Sequence, residues 1–163
     1  AVMKTEERIS YPFPLGDGRE ILIGGIADRI DSLDNGMLRV IDYKTGREKP
    51  DMPTVASLFD IKGAGEFRYP LQIMIYSMAL YHTLNRNVEP ALYYARQMNK
   101  EYTPQLISNK TDVDYVAYAE EFEAALRAKL LELFDPEVPF VRCEYKGDKS
   151  PCTYCDYKVI CKR

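Results

Sequence analysis

The sequence has no apolar run long enough to span a bilayer, no internal repeat, no low-complexity stretch and no Gly-rich phosphate loop after a strand. These absences exclude a membrane-spanning protein and the common nucleotide-binding folds. The first residues also lack the basic start, apolar run and cleavage site of a signal peptide, so we expect a cytoplasmic protein. The chain begins with Ala1 and not with Met, which indicates a piece of a longer protein.

The bulk composition is that of one globular domain. The chain has 163 residues, of which 46% are hydrophobic and 29% charged, enough for one sizeable core and too few for two ordinary domains. We therefore expect a single domain over residues 1–163. The net charge of -3 gives no global attraction to nucleic acid, so any phosphate contact must come from a local basic surface or from a bound metal.

The pattern predicts the order strand, strand, strand, helix, strand, helix. Residues 20–31 and 38–44 are β-rich, and Asp34-Asn35-Gly36 between them is a strong hairpin signal. A helix is predicted over residues 69–84, with Pro70 in its first turn and Leu71, Ile75, Met78 and Ala79 at helical spacing. The other predicted elements are a short helix at 54–61, strands at 91–97, near 105–107 and at 140–145, and a long helix that follows a Thr111/Asp114 capping box and buries Tyr115, Ala119, Phe122, Leu126, Leu130 and Leu133.

The hairpin carries charged side chains that can share one site. Asp42 and Lys44 are two residues apart on a strand, so they leave the same face roughly 7 Å apart. A two-residue turn would pair Asp28 with Tyr43 and turn its side chain to the wrong face, because register parity decides facing. A three-residue turn with a left-handed Gly36 would place Asp28 opposite Asp42. We predict the three-residue turn.

Paired carboxylates of this kind indicate a metal. Two neighbouring carboxylates disfavour each other's ionisation unless a cation lies between them, and oxygen ligands suit Mg²⁺ or Mn²⁺. The alternative is that Asp28, Asp42 and Lys44 form ordinary surface ion pairs. The apolar neighbours Ile26, Ile30 and Val40 argue against that alternative, because unpaired carboxylates are costly beside buried strand residues.

Three segments resemble the RecB-like branch of the PD-(D/E)XK nuclease superfamily: Gly-Ile-Ala-Asp-Arg-Ile-Asp at 25–31, Val-Ile-Asp-Tyr-Lys-Thr-Gly at 40–46, and Gln72 with Tyr76. The resemblance implies a restriction-endonuclease-like α/β core, with a mixed central sheet that starts with an antiparallel hairpin and is flanked by helices. It also implies an exonuclease-like, Mg²⁺-dependent DNA nuclease in a larger repair or recombination protein with a helicase partner.

The resemblance also implies residue roles. Asp28, Asp42 and the Tyr43 backbone carbonyl would bind metal, Lys44 would be the catalytic lysine, Gln72 would support the site and Tyr76 would meet DNA. Many relatives add a His or Glu from a preceding helix, which this chain lacks. An inactive DNA-binding or scaffolding module with the nuclease fold is therefore the alternative function.

The remaining polar candidates are weaker. Arg29, Asp31 and Asp34 are expected to be structural, Arg29 pairing across the strand and Asp34 satisfying turn amides. His82, the single histidine, is expected to pack on the apolar side of its helix with Ile75 and Met78. A DNA groove could be bordered by Arg47, Lys62, Arg68, Arg96 and Lys100, with Tyr69 and Tyr76 as stacking surfaces.

The four cysteines fall at the end of the chain, in a tail at residues 143–163. Cys152, Cys155 and Cys161 with Cys143 could form a tetrahedral zinc site, and a zinc module for protein contacts is a third functional alternative. AddB-type helicase-nuclease proteins and CRISPR-associated RecB-like nucleases end in a similar Cys-x-x-Cys-x5-Cys tail that holds a 4Fe-4S cluster. By that resemblance Cys152, Cys155 and Cys161 are cluster ligands, and the fourth is either Cys143 or a cysteine before the nuclease core.

Overall fold

The computed structural model describes residues 1–46, 51–60, 67–97, 103–139, 141 and 151–162. The chain divides into two compact units, Ala1–Leu131 and Glu132–Arg163. The first unit contains the sheet and nearly all of the helical structure, and the second contains the cysteine-rich tail. Among the described helices, none combines the length and the apolar character that crossing a membrane requires.

The first unit is built on a four-stranded mixed sheet. Its strands run in the order β1-β2-β3-β4, with β1–β2 and β2–β3 antiparallel and β3–β4 parallel. The order of the larger elements is confirmed. They are β1 (Val2–Pro14), β2 (Glu20–Ser32), β3 (Leu38–Lys44), α1 (Arg68–Leu84), β4 (Val88–Tyr94), β5 (Ile107–Ser108), β6 (Thr111–Asp112) and α2 (Tyr115–Leu133).

Helix α1 connects the parallel strands β3 and β4 and covers one face of the sheet. It begins one residue before the predicted start and ends at the predicted Leu84, where Asn85 adopts a left-handed conformation (φ 50°) and donates its N–H to Tyr81 O at 2.9 Å. Its buried arc is wider than the predicted stripe. Leu71 and Ile75 are only partly buried, whereas the buried set is Pro70, Ile73, Met74, Tyr76, Ser77, Met78, Ala79 and Leu80.

The region after α1 differs from the prediction. β4 begins at Val88, because its parallel register with β3 runs from Leu38↔Val88 to Lys44↔Tyr94, and Ala95–Gln97 is a 3-10 turn. Beyond β4 the sheet is extended by two backbone hydrogen bonds, Leu92 N–H to Pro104 O at 2.7 Å and Leu106 N–H to Pro90 O at 2.9 Å. The weak strand predicted near 105–107 therefore lies at this edge.

The beginning of α2 corrects the predicted capping box. Thr111 lies in the short β5–β6 hairpin, and it is Asp114 that caps the helix by accepting the Val116 N–H at 3.2 Å. Tyr115, Phe122 and Leu126 are buried as predicted, but Leu133 is 48% exposed. The short helix predicted at 54–61 is the 3-10 turn Ala56–Phe59, and Phe59 packs against Phe122 with ring centroids 5.8 Å apart. The strand predicted at 140–145 lies outside the described residues, except for Val141, which is irregular.

His82 is an exposed residue of α1, so it does not lie on the buried side of the helix as predicted, and its contacts come from other elements. Its ring stacks on Tyr11 of β1 with centroids 4.4 Å apart, and its Nε2 lies 2.8 Å from Oε1 of Glu123 on α2. The same Glu123 oxygen accepts the Tyr115 hydroxyl at 2.8 Å. The histidine therefore links α1 to both β1 and α2.

Arg86 fixes the β2–β3 hairpin to the end of α1. Its Nε and Nη2 donate to Gly36 O at 3.0 and 2.7 Å, and its Nη2 also donates to Ser32 Oγ at 3.0 Å. Hydrogen bonds from a charged donor are about twice as strong as neutral ones. The turn that sets the register of β2 and β3 is thus held from outside the hairpin.

We expect Arg86→Ala to lower the free energy of unfolding by about 1–3 kcal/mol, because the Gly36 carbonyl loses its charged donor. Urea unfolding followed by circular dichroism measures this change. Arg8→Ala, at an exposed arginine of β1, is the control and should change stability by less than about 0.5 kcal/mol. Equal losses in the two variants would show that the clamp does not hold the turn.

Candidate active site

The turn of the β2–β3 hairpin decides which way Asp28 faces. Leu33 N–H donates to Met37 O at 2.9 Å, Gly36 N–H donates to Leu33 O at 3.0 Å, and Gly36 is left-handed with φ 84°. These bonds enclose a three-residue turn, as predicted. The register then runs from Ser32↔Leu38 to Arg29↔Ile41, and its continuation places Asp28 opposite Asp42. The turn amide is satisfied by Asn35 and not by Asp34, because Met37 N–H donates to Asn35 Oδ1 at 3.0 Å.

Asp28 lies where the two strands separate. The described ladder between β2 and β3 ends at Arg29↔Ile41. Successive N–H groups of a strand point to opposite sides, and the next one that points toward β2, that of Tyr43, donates to Asp28 Oδ2 at 2.7 Å. The Asp28 carboxylate thus accepts the hydrogen bond that a backbone carbonyl of β2 would accept in a continuing ladder. The carboxylate of Asp28 is thereby held beside the Asp42–Tyr43 backbone, whose Tyr43 carbonyl is the third predicted metal ligand.

Asp42 is a buried carboxylate with an incompletely satisfied oxygen. The residue is 4% exposed, and burial raises the pKa of its carboxyl, against the opposing effect of Lys44 and together with the charge of Asp28. Its Oδ2 contacts the Lys44 ammonium but has no well-directed hydrogen bond within the described residues. A buried anionic oxygen with acceptor capacity to spare, next to a second carboxylate, suits a divalent cation.

Lys44 is held from two elements. Its side chain is 13% exposed, and Nζ donates to Gln72 Oε1 on α1 at 2.9 Å while contacting Asp42 on its own strand. The amide nitrogen of Gln72 in turn donates to Tyr76 Oη at 2.9 Å. Asp42, Lys44, Gln72 and Tyr76 therefore form one continuous polar chain between the sheet and the helix.

The structure corrects the stacking role predicted for Tyr76. The residue is only 7% exposed, so its ring face is not available to a DNA base, and its hydroxyl is used by Gln72. The ring reaches this position because residue 25 is glycine. A Cβ built on Gly25 would lie 2.7 Å from Tyr76 Oη and 2.8 Å from Cε1, which is closer than such atoms approach in proteins. The glycine of the Gly-Ile-Ala-Asp segment was the sequence signal for this contact.

Arg29 and Asp31 pair with each other along β2. Arg29 Nε and Nη2 donate to the two carboxylate oxygens of Asp31 at 2.7 and 2.8 Å, so this ion pair lies along β2, whereas a cross-strand partner was predicted; across the strand Arg29 interacts with Tyr43 of β3. Hydrogen bonds first to Asp31 and then to Tyr43 raise the pKa of the Arg29 guanidinium. The structural role expected for both residues stays a prediction.

The predicted DNA-binding residues Arg68 and Tyr69 begin helix α1. Arg68 is exposed, and its Nη2 donates to Tyr69 Oη at 3.0 Å. A shallow depression beside them is lined by Gly24, Arg68, Leu71, Gln72, Ile75 and Tyr76. Arg96 is exposed on the 3-10 turn after β4. The other three basic residues of the predicted groove, Arg47, Lys62 and Lys100, lie outside the described residues.

The second unit contains all four cysteines, and three of them lie among the described residues. Cys152 is buried, Cys155 and Cys161 are partly buried, and Cys155 N–H donates to Cys152 O at 3.3 Å. Cys143 lies outside the described residues. Within the residues that the structure describes, no three His, Cys, Asp or Glu side chains are grouped to hold a metal ion. The cluster and the zinc site both remain predictions.

Comparison with known proteins agrees with the geometry. A model of the PD-(D/E)XK nuclease superfamily matches residues 2–162. The chain is similar to the B-type subunit of an ATP-dependent helicase/deoxyribonuclease from Clostridium acetobutylicum, with 27% identity over 135 residues that cover 79% of this chain and 11% of that protein. Proteins of the same name from Streptococcus pyogenes serotypes M49 and M6 are 48% and 50% identical over 42 residues, covering 26% of this chain and 4% of each relative. The chain thus spans a small part of these relatives.

We expect Gly25→Ala to displace the Tyr76 ring and to lower the free energy of unfolding by about 1–3 kcal/mol, the usual cost of overpacking. The measurement is urea unfolding of Gly25→Ala in the wild-type and in a Tyr76→Leu background. If the contact with Tyr76 causes the loss, the cost is smaller in the second background. The same cost in both backgrounds would assign the effect of the glycine to something other than Tyr76.

Proposed function

Because this chain belongs to the PD-(D/E)XK nuclease superfamily, we propose that it hydrolyses phosphodiester bonds of DNA with a divalent cation bound at Asp28 and Asp42. The observation that carries the proposal is the buried Asp42 carboxylate, whose Oδ2 is paired with the Lys44 ammonium and whose charge is close enough to Asp28 for the two carboxylates to affect each other. Surface ion pairs do not account for this burial, because they leave both charges in water.

The ligands suit Mg²⁺ or Mn²⁺. The carboxylates of Asp28 and Asp42 with the Tyr43 carbonyl are hard oxygen donors on two neighbouring strands, and such donors favour these cations over softer metals. A cation bound there would lower the pKa of a water molecule and neutralise charge on the scissile phosphate. Asp28 is already oriented by the Tyr43 amide, so little rearrangement is needed on that side.

Lys44 supplies the fixed positive charge of the reaction. Its side chain is 13% exposed, and a charge in such a site acts more strongly on a phosphate than it would in water. We assign Lys44 to orient the attacking water or to stabilise the negative charge that develops on the phosphate. Gln72 holds the ammonium through its Oε1, and Tyr76 fixes Gln72 from behind.

DNA would approach the exposed start of α1. Arg68 lies there beside a shallow depression that leads to Gln72, and guanidinium groups are well suited to bind phosphate oxygens. Such contacts position the backbone and do not read sequence. This local charge supplies the attraction that the net charge of -3 does not provide.

The wider role follows from the relatives. The similar proteins are named as subunits of an ATP-dependent helicase/deoxyribonuclease, and this chain covers only 11% and 4% of them. We infer an exonuclease-like domain that acts on DNA in repair or recombination, together with a helicase protein or domain in the cytoplasm. End-labelled single- and double-stranded substrates would give the polarity and strand preference of cleavage.

A catalytically inactive DNA-binding or scaffolding module is the second candidate. The site contains two carboxylates, and within the described part of the chain no third His, Cys, Asp or Glu joins them. A site with one ligand fewer binds a divalent cation more weakly. DNA binding without metal-stimulated cleavage would favour this second function.

We expect single- or double-stranded DNA to be cleaved with Mg²⁺ or Mn²⁺ and not with EDTA. Lys44→Ala and Asp42→Ala should each lower the rate at least about 100-fold, because each removes a charge from the reacting centre. Asp112→Ala, at an exposed carboxylate of β6, is the matched control and should cleave at the wild-type rate. Undiminished cleavage by a folded Lys44→Ala variant would overturn the mechanism.

The cysteine tail is proposed to hold a 4Fe-4S cluster through Cys152, Cys155 and Cys161. The full-length protein, purified without oxygen, should contain iron and acid-labile sulfide, and Cys155→Ser should lose both, since thiolates are the ligands of such clusters. Zinc without sulfide would instead indicate a tetrahedral site completed by Cys143. Neither metal in the anaerobic preparation would refute a metal-binding tail.

A further inference from the structure

We propose that Tyr69 is a positioning residue for Lys44 and not a platform on which a DNA base stacks. Its ring centroid lies 4.2 Å from Lys44 Nζ, inside the distance of about 6 Å at which an ammonium is attracted to an aromatic face. The catalytic part of this inference rests on the proposed function. The geometric part, that the ring immobilises the ammonium, stands independently of it.

Tyr69 belongs to the same helical stripe as the residues already placed at the site. Tyr69, Gln72 and Tyr76 are spaced i, i+3 and i+7 on α1, so they lie on one face of the helix. Two of the three reach Lys44 directly, Gln72 through its Oε1 at 2.9 Å and Tyr69 through its ring. The stripe therefore contacts the ammonium with two consecutive turns of α1.

The ring is itself held in place. Arg68 donates from Nη2 to Tyr69 Oη at 3.0 Å, and its Cζ lies 4.4 Å from the ring centroid. The residue that follows is Pro70, whose restricted backbone suits the first turn of a helix. Lys44 and Arg68 therefore both lie against the ring, and a base that stacked there would compete with them for its aromatic surface.

The contact matters because the other partners of Lys44 are not sufficient when the site is in use. An Asp42 carboxylate that binds a divalent cation attracts the ammonium less strongly than in the metal-free protein. Among the described residues, Gln72 then supplies one hydrogen bond and Tyr69 its aromatic face. In a site that is 13% exposed, cation–π attraction is stronger than at the protein surface because the ammonium is poorly hydrated.

The test compares Tyr69→Phe, which keeps the ring, with Tyr69→Leu, which keeps apolar volume without it. Nuclear magnetic resonance of lysine-labelled protein reports the Lys44 side chain, whose Cε signals are assigned from Lys44→Ala. We expect upfield ring-current shifts and restricted Cε motion in the wild type and in Tyr69→Phe. Both should be lost in Tyr69→Leu, and Tyr118→Leu, at a partly buried tyrosine of α2, should retain them. Unchanged Lys44 mobility in Tyr69→Leu would overturn the proposal even if no DNA is cleaved.

Steady-state cleavage supplies the second readout. Tyr69→Leu should lower kcat about tenfold with KM for DNA changed less than about twofold, and Tyr69→Phe should restore kcat. A stacking role predicts the reverse, a raised KM with kcat preserved. That outcome would refute the positioning role, whereas failure of the wild type to cleave would refute the proposed function and leave the mobility comparison to decide the role of Tyr69.

Discussion

The Lys44 side chain lies largely out of solvent between a strand and a helix, and the contacts that satisfy its ammonium join these two elements. A lysine that is 13% exposed loses most of its hydration, a cost that only close polar partners offset. Asp42 comes from the same strand, whereas Gln72 and Tyr69 come from α1. The charge therefore joins α1 to β3, and the close approach of Tyr76 to Gly25 belongs to the same packing.

The site lies where the sheet divides. β1 pairs with β2 as far as Pro14↔Glu20, and β3 pairs with β4 as far as Lys44↔Tyr94, but the described pairing of β2 with β3 ends at Arg29↔Ile41. Beyond that pair, no further β2–β3 backbone pairing is described. The Tyr43 N–H of β3 donates instead to the Asp28 side chain of β2. Such an opening gives carboxylates access to a ligand while each strand stays supported by its outer neighbour.

The two faces of the hairpin carry different chemistry because side chains alternate along a strand. Asp42 and Lys44 face α1, and burial raises the pKa of the Asp42 carboxyl, so the ionised form is held at a cost to folding. Arg29 and Asp31 of β2 satisfy each other in a bidentate pair. The Asp42 carboxylate can therefore still accept a ligand, whereas Arg29 and Asp31 already satisfy each other. That difference, and not the number of charges, distinguishes the candidate site from the rest of the sheet.

The sequence by itself determined the hairpin, its three-residue turn, the helix that follows and the nuclease family, because these depend on local signals: a left-handed Gly36, Pro70 in a first turn, and residue spacing within a strand or helix. It did not determine where β4 begins, since that boundary is set by pairing with β3, nor that Asp114 and Asn87, and not Thr111, accept the Val116 N–H at the start of α2. Only the tertiary structure decided that Tyr76 is buried and that the Tyr69 ring meets Lys44. Helical spacing shows that two side chains share a face, but the neighbouring element decides whether that face meets solvent, a core or a charge.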